Sequence, residues 1–273
     1  MDGKGRHLTS MTLLDRRAVA LECDLVAQSA FRASPGEMAG LRKSPGADGG
    51  PPTPPALLRH SDEQTVVGLA AVLRAIASGG LDPDGFGDWA VLVAPRFLGR
   101  AAFERAFPQF RDEGAWGVSP HLIPAHSLHS PSGTISQALK AHGLNLGIGG
   151  TPGGEAEALL LAATLLGAGS VAGVWVVLTG RSEGGDPAEP GSYEALALAL
   201  APPARGRRGP RLRIAPGSIQ MVGAGPDGGA VPGWAVGSTV RADAGHARVA
   251  APVPHFRIGA GRPAQVDDPR DLP

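Results

Sequence analysis

The chain has 273 residues, and its 41 glycines and 26 prolines make up about a quarter of it, a share close to that of disordered chains. However, 42% of the residues are hydrophobic, which is enough for a sizeable core and excludes a wholly disordered protein. Lys plus Arg and Asp plus Glu number 25 each, so no global charge attracts nucleic acid or an anionic membrane.

The only cysteine of the chain is Cys23, so no intrachain disulfide and no cysteine-based zinc site is expected. A reducing, cytoplasmic location follows from this cysteine usage. We expect no signal peptide either, because the first residues lack a sufficiently long apolar run.

Strand-like and helix-like patterns alternate along residues 16–201, an order typical of a three-layer α/β sheet that is mainly parallel. Five strands are predicted, at Arg17–Ala27, Trp89–Ala94, Leu144–Ile148, Val174–Leu178 and Glu194–Ala201. Helices are predicted at Gly36–Arg42, Pro55–Ala77, Leu98–Phe110, Ser132–His142 and Glu155–Leu166.

The clearest amphipathic pattern is that of Pro55–Ala77, which Ser61 is expected to cap and Gly79–Gly80 to end. Asp62 and Glu63 supply an acidic first turn. One helical face is apolar and consists of Val66, Leu69, Leu73 and Ile76.

The segment Ala158–Thr179 has 22 residues without a charge and is long enough to span a bilayer. Glycines punctuate its middle, and its first half is rich in Ala and Leu while its second half is β-branched. A buried helix, a tight turn and a buried strand are therefore favoured over a membrane span.

A Gly-rich turn, Gly149–Gly154, separates a predicted strand from a predicted helix, a position where free backbone N–H groups favour anions. Pro152 stands where a dinucleotide-binding fingerprint needs its third Gly, and the Lys-Ser/Thr pair of a phosphate loop is missing. A tight turn between packed elements is favoured, and no cofactor is expected.

Four histidines, His121, His126, His129 and His142, fall within 22 residues. Prolines break this segment and no carboxylate lies within it, so hydrogen-bonded or exposed histidines are favoured over a metal site.

The C-terminal residues 202–273 are rich in Pro and Gly and contain ten Arg against five Asp. They predict an irregular, partly disordered extension, in which Leu212–Ile214, Ile219–Val222 and Ala247–Ala251 can add edge strands. A solvated extension is favoured over a segment that binds RNA or an acidic partner.

In this order, the elements of residues 16–201 resemble the N-terminal half of a β-ketoacyl synthase, a member of the thiolase-like superfamily. The resemblance implies a three-layer α/β/α half-domain with a mostly parallel five-stranded sheet, preceded by a flexible segment at 1–15. Its most specific part comprises Ser132–Ser136, Gly143–Leu144, Gly150–Gly154, Leu159–Leu166 and Val174–Gly180.

The departures from this family bear on activity. Active ketosynthases carry Cys-x-Ser-Gly at the turn before the helix, whereas Thr151 occupies the nucleophile position here. A threonine hydroxyl is a poor acyl acceptor from a thioester without an adjacent base. In this respect the chain is most similar to cysteine-less chain-length-factor companions, which carry Gly-Gly after the lost nucleophile, as Gly153 and Gly154 do here.

The resemblance also implies a second, histidine-bearing half, for which the 72 residues after Ala201 are too few. We therefore expect a truncated, non-condensing companion subunit, a pseudoenzyme of fatty-acid or polyketide-type synthesis with no catalytic residue of its own. Thr151, Gly153 and Gly154 would shape an acyl pocket. The expected partners are a full-length ketosynthase or a second copy, together with acyl carrier protein, bound through Val66, Leu69 and Leu73 or through Leu144–Ile148.

Two alternatives remain open. One is a structural or binding module whose basic tail contacts an acidic partner. The other is a weak acyltransferase or hydrolase that uses Thr151 or a histidine.

Overall fold

The computed structural model describes residues 20–46, 50–54, 56–149, 153–182, 191–206, 209–215 and 218–222. Its strands are β1 (Leu21–Ala33), β2 (Trp89–Pro95), β3 (Asn145–Gly147), β4 (Gly173–Ser182), β5 (Ser192–Ala201), β6 (Arg211–Ala215) and β7 (Ser218–Val222). Its α-helices are α1 (Met38–Lys43), α2 (Glu63–Gly79), α3 (Arg100–Glu113), α4 (Leu122–His126), α5 (His129–Leu139) and α6 (Gly154–Gly167). Short 3₁₀ turns occupy Pro35–Glu37 and Gly114–Gly117.

The strands form one sheet in the order β3-β2-β4-β5-β1-β6-β7. All five predicted strands are present, and they are neighbours in its first five places. Two of the three strands predicted in the extension are present as β6 and β7, of which β7 is at the edge, and the third, 247–251, lies outside the described residues. The expectation of a mostly parallel five-stranded sheet needs correction, because seven strands are present and only β2–β3 and β2–β4 pair in parallel. The reason is the direction of β5. It lies between β4 and β1 and is antiparallel to both, whereas β4 and β1 run in the same direction.

Helices cover the two faces of the sheet, so the predicted three-layer architecture is confirmed. One face packs against α1, α2 and α5, and the other packs against α6. Strand β5 shows the division: its alanines at 195, 197 and 199 face α2, and its leucines at 196, 198 and 200 face the α6 side. The small alanine side chains let α2 lie close to one face of the sheet. The larger leucine side chains fill the space between the other face and α6.

Helix α2 begins at Glu63, eight residues after the predicted start at Pro55 and one residue after the start that a Ser61 cap implies. Asp62, and not Ser61, is its N-cap, since the Asp62 carboxylate accepts a hydrogen bond from the Gln64 backbone N–H at 2.8 Å. Gly80 ends the helix in the left-handed conformation, with φ 59°.

The apolar face of α2 is not a docking surface, which corrects one of the two predicted patches. Val66, Leu69 and Leu73 are fully buried between α2 and the sheet. The physical reason is that α2 lies across β1, β4 and β5, so its apolar stripe completes the core of this chain.

The uncharged segment that raised a membrane alternative divides into α6 and β4, as predicted. Gly169, with φ 66°, makes the turn between them. Among the described residues, no helix has the length and apolar character needed to cross a bilayer.

A matched pair of leucines tests the packing of α6. Leu159 is 2% exposed and faces the sheet, whereas its neighbour Leu160 is 50% exposed. We expect Leu159→Ala to lower the free energy of unfolding by about 2–5 kcal/mol through a core cavity. Leu160→Ala should lower it by less than about 0.5 kcal/mol. Urea unfolding followed by circular dichroism measures both, and equal losses would contradict this packing.

Candidate functional site

The turn between β3 and α6 was predicted to hold the site. Strand β3 ends at Gly147, and the backbone N–H of Ile148 donates to the Val93 carbonyl at 2.7 Å. Helix α6 then begins at Gly154, with Gly153 as its N-cap at φ 104°, a conformation that favours glycine. The turn therefore lies beside the carboxyl end of β2. Thr151, with Gly150 and Pro152, lies outside the described residues.

Glycines allow close packing at this turn. A Cβ added at Gly149 would lie 3.3 Å from the Pro95 carbonyl oxygen, and one at Gly154 would lie 3.5 Å from the Cα of Gly149. Gly154 itself is buried. Backbone contacts thus hold the start of α6 close to the end of β2. Residues larger than glycine at positions 149 and 154 would push the two apart.

The first turn of α6 carries two acidic residues, Glu155 and Glu157. Their charges compensate the positive end of the helix dipole, so they compete with an external anion for this terminus. Glu155 Oε1 also lies 3.6 Å from Arg96 Nε, at the end of β2. This arrangement agrees with the sequence argument against a nucleotide-binding turn.

The only cysteine lies far from this turn in the fold. Cys23 is fully buried in β1, and its Sγ is 3.9 Å from the Leu212 carbonyl oxygen in β6. Burial first, and the neighbouring Asp24 charge second, raise the pKa of the Cys23 thiol to about 12. At neutral pH the thiolate needed for acyl transfer is therefore absent from this side chain.

A buried polar network lies at the same end of the sheet and was not predicted from the sequence. Thr179 Oγ1 at the end of β4 donates to Gln64 Oε1 at 2.9 Å, and Gln64 Nε2 donates to the Arg96 carbonyl at 2.8 Å. Asp62 Oδ2 lies 3.7 Å from His126 Nε2. The sequence contains one signal of this network, namely polar residues beside or within apolar runs. These are Gln64 in α2 and Thr179 directly after Val174–Leu178.

His126 is a positioning residue in this network. Its Nδ1 donates to the Leu122 carbonyl at 2.8 Å, while its Nε2 faces the Asp62 carboxylate. The Nδ1 proton is thus used within α4, whereas the 3.7 Å between Nε2 and Asp62 Oδ2 is longer than a hydrogen bond. The ring instead fixes α4 against the N-terminus of α2.

The other predicted histidines separate. His121 stacks on His60 with ring centroids 4.3 Å apart, while His129 and His142 line a cleft beside β3. Within the described part of the chain, no three side chains of His, Cys, Asp or Glu come together as metal ligands.

A second carboxylate is buried at the start of β5, opposite Gly180 of β4. Glu194 pairs with Arg32 of β1, and Arg32 Nε also donates to Ser192 Oγ at 2.8 Å. Burial raises the pKa of Glu194, which the Arg32 charge opposes.

Exposed apolar side chains mark two nearby surfaces. The second predicted patch is confirmed as exposed, since Leu144 and Leu146 at the edge strand β3 are 43% and 37% accessible. The segment between β2 and α5 exposes Phe97, Phe107, Phe110, Trp116 and Ile123. Trp116 is 99% accessible, and exposure of so many large apolar side chains is typical of an interaction surface.

No protein-family profile and no curated protein matches the chain. Among solved structures, a β-ketoacyl synthase from Burkholderia phymatum STM815 is similar with a TM-score of 0.50 and 15% identity, over 70% of this chain and 62% of that chain. The chain has the thiolase-like ketosynthase fold. It covers less than two thirds of that synthase.

Two ketosynthase complexes are also similar at lower scores. One is a ketosynthase with its chain length factor from Xenorhabdus doucetiae, with a TM-score of 0.48, 15% identity, and coverage of 68% of this chain and 81% of that chain. The other is the ishigamide ketosynthase/chain length factor, with a TM-score of 0.47, 16% identity, and coverage of 70% and 64%.

The state of the Cys23 thiol can be tested by alkylation. We expect iodoacetamide at pH 8 to leave the folded protein unlabelled, because a buried thiol with a pKa near 12 supplies almost no thiolate. After unfolding in urea, the same reagent should label one thiol per chain, which is the control. Labelling of the folded protein at the unfolded rate, measured by mass spectrometry, would contradict the buried position.

The buried Asp62 carboxyl predicts a pH dependence of stability. Burial is the main cause that raises its pKa in the folded chain, so its favourable contribution is complete below the unfolded pKa and is lost as the pH rises through the folded value. Asp62→Asn cannot titrate and keeps an acceptor for the Gln64 N–H. We therefore expect the variant to gain stability relative to the wild type as the pH rises above about 4.

Urea unfolding at several pH values measures this difference. Asp84→Asn is the control, because the Asp84 carboxylate is exposed and pairs with Lys140 at the surface. A pH-independent difference between Asp62→Asn and the wild type would show that the Asp62 carboxyl has the same pKa in both states.

Proposed function

We propose that the chain is a non-condensing, ketosynthase-like companion subunit that acts beside a complete ketosynthase in fatty-acid or polyketide-type synthesis. The observation that carries this proposal is the burial of the only thiol of the chain, that of Cys23. Within a ketosynthase fold, Cys23 is buried in β1, on a strand remote in sequence from the turn before α6. By the resemblance to that family, Thr151 would take the position of the nucleophile.

The chemistry of that turn supports a role without acyl transfer. A threonine hydroxyl needs an adjacent base to attack a thioester. Among the described residues, His126 Nδ1 donates to the Leu122 carbonyl, and Glu155 Oε1 lies 3.6 Å from Arg96 Nε. In this proposal Thr151, Gly153 and Gly154 shape one end of an acyl pocket and do not react.

The partner surface in this proposal is the edge of the sheet at β3. Among the described residues this strand pairs only with β2, so within that part of the chain its other side presents backbone groups that a further strand can bind. Leu144 and Leu146 are exposed along it. Leu128 is also exposed and contacts Gly147 and Gly149. In the chain it follows the segment 97–123, which carries the exposed aromatic side chains described above. A partner that covers this apolar surface removes it from water.

The partner is a complete ketosynthase, which supplies the condensing residues and brings acyl carrier protein to the pair. The proposed contribution of this chain is to the shape of the shared acyl site and hence to chain length.

Co-expression tests the proposal directly. We expect the chain to copurify with the complete ketosynthase encoded nearest to it, and light scattering should give the mass of a one-to-one complex. The variant Leu146→Asp, which places a charge on the β3 surface, should weaken the complex by at least about tenfold, because a buried unpaired charge is strongly unfavourable. Leu160→Asp is the matched control, since it adds the same charge to an exposed position on α6.

A second variant separates this function from acyl transfer by the chain itself. Thr151→Ala should leave the complex able to form acyl products, as measured by mass spectrometry, because the hydroxyl takes no part in the reaction. Loss of thioester turnover would favour the acyltransferase alternative. A stable monomer that binds no ketosynthase would exclude the companion role.

A further inference from the structure

A cavity of about 200 Å³ lies between helix α4 and the segment 56–61, which leads into α2. Leu57, Pro124 and Ala125 form apolar parts of its lining, and two titratable side chains, His60 and His121, lie on opposite walls. The cavity shares no lining residue with the turn before α6 or with β3.

The rings of His60 and His121 stack on each other. Their centroids are 4.3 Å apart and their planes are 7° from parallel. Both side chains are exposed, so protons from the solvent reach them. Since His121 is the N-cap residue of α4, the stack joins the N-terminal end of this helix to the segment 56–61.

The segment that carries His60 is held firmly. The Arg42 guanidinium of α1 donates to the Leu58 carbonyl at 2.9 Å and to the Ser61 carbonyl at 2.6 Å. The Leu58 side chain is buried in the core below. This wall of the cavity therefore stays in place when the stack is broken.

Helix α4 is held much less firmly at its N-terminal end. It has five residues, from Leu122 to His126, and none of them is buried. A helix of this length is unstable by itself and depends on contacts with its surroundings. The stack with His60 is such a contact, so its loss frees the start of α4.

The C-terminal end of α4 has a different attachment. The His126 ring lies edge-on to Phe103 with centroids 6.2 Å apart, and a Cβ added at Gly99 would lie 2.8 Å from His126 Cβ. His126 Nε2 also lies 3.7 Å from Asp62 Oδ2. A proton on His126 adds attraction to the Asp62 carboxylate, so acid does not release this end.

The charges around the stack do not compensate two protonated rings. Arg59, next to His60 in the chain, is a further cation, and the Glu63 carboxylate pairs with Arg42 at 3.3 Å. Among the described residues, no carboxylate lines the cavity. Two cationic rings 4.3 Å apart therefore repel each other.

We propose that the stack of His60 and His121 is a pH-sensitive latch on α4. While one ring is neutral, the stack holds α4 against the segment 56–61. Histidine side chains ordinarily gain their proton between about pH 7 and pH 5, and when both rings are cationic the start of α4 moves away, with His126 as the hinge. The turn that carries Trp116 precedes α4, so acid changes the exposed aromatic surface. The latch belongs to the free chain and does not depend on the proposed function.

Hydrogen exchange of the full chain, followed by mass spectrometry, tests the latch. The Ala125 N–H bonds to the His121 carbonyl at 3.0 Å, so its exchange reports on α4. Protection is compared at about pH 7.5 and about pH 5.5, each corrected for the exchange rate of the unfolded peptide at that pH. We expect the corrected protection of residues 119–126 to fall by at least about fivefold in acid, and that of α5 to stay constant.

Two variants keep an aromatic ring in the stack but remove its titration. His60→Phe and His121→Phe alter exposed side chains, so the fold is retained. In both variants the corrected protection of 119–126 should change by less than about twofold between the two pH values. His142→Phe is the matched control, because it replaces an exposed histidine outside this cavity and should keep the wild-type response.

The outcomes decide the proposal. A wild-type chain whose corrected protection of 119–126 is equal at both pH values overturns the latch. So does a response that persists in His60→Phe and His121→Phe, or one that His142→Phe also removes. A loss of protection that extends equally to α5 would show general acid unfolding and would likewise overturn it.

Discussion

Burial of β4 on both of its faces is the constraint on which the rest of the structure depends. Eight consecutive residues of this strand, from Gly173 to Gly180, are buried, which requires an apolar layer above and below it. Helix α2 and helix α6 supply those layers, and β2 and β5 supply its hydrogen-bonding neighbours. Buried polar groups accordingly lie near the two ends of the sheet, with Thr179 and Gln64 where β2 and β4 finish and Asp24 with Arg211 at the opposite end.

The end of the sheet concentrates polar groups that hold elements together. Thr179, Gln64 and Arg96 join β4, α2 and the end of β2 through hydrogen bonds, and Asp62 with His126 joins α2 to α4. An enzyme site built at this place would need a nucleophile and a base that are free to meet a substrate. The described groups are instead directed at one another, an arrangement that positions backbone and helices.

Elements with strong local patterns were predictable from the sequence, and those set by tertiary contacts were not. The apolar strands at Trp89 and Val174 were predicted within a few residues, and the helix that carries Leu69 was predicted with its end within two residues but its start eight residues too early. The extension of β1 to Ala33 was missed because its pairing with β5 depends on residues more than 150 positions away. The polar network was missed for a similar reason, since Gln64 and Thr179 are 115 residues apart. The position of Thr151 was inferred from the resemblance alone, because no local pattern distinguishes a reactive turn from an inert one.

The position of β5 between β4 and β1 also has a consequence for the order in which the chain folds. Residues paired between β1 and β5 are separated by 160 to 177 positions, and β1 has its other neighbour in β6, which is later still. During synthesis the first strand therefore emerges from the ribosome long before either neighbour exists. Until then its apolar residues, Cys23 and Leu25 among them, have no neighbouring strand to pair with. Long-range pairing of this kind makes folding slow and exposes the unpaired strand to aggregation. We expect the parallel unit of β2, β3 and β4 to assemble first and β1 to be inserted last.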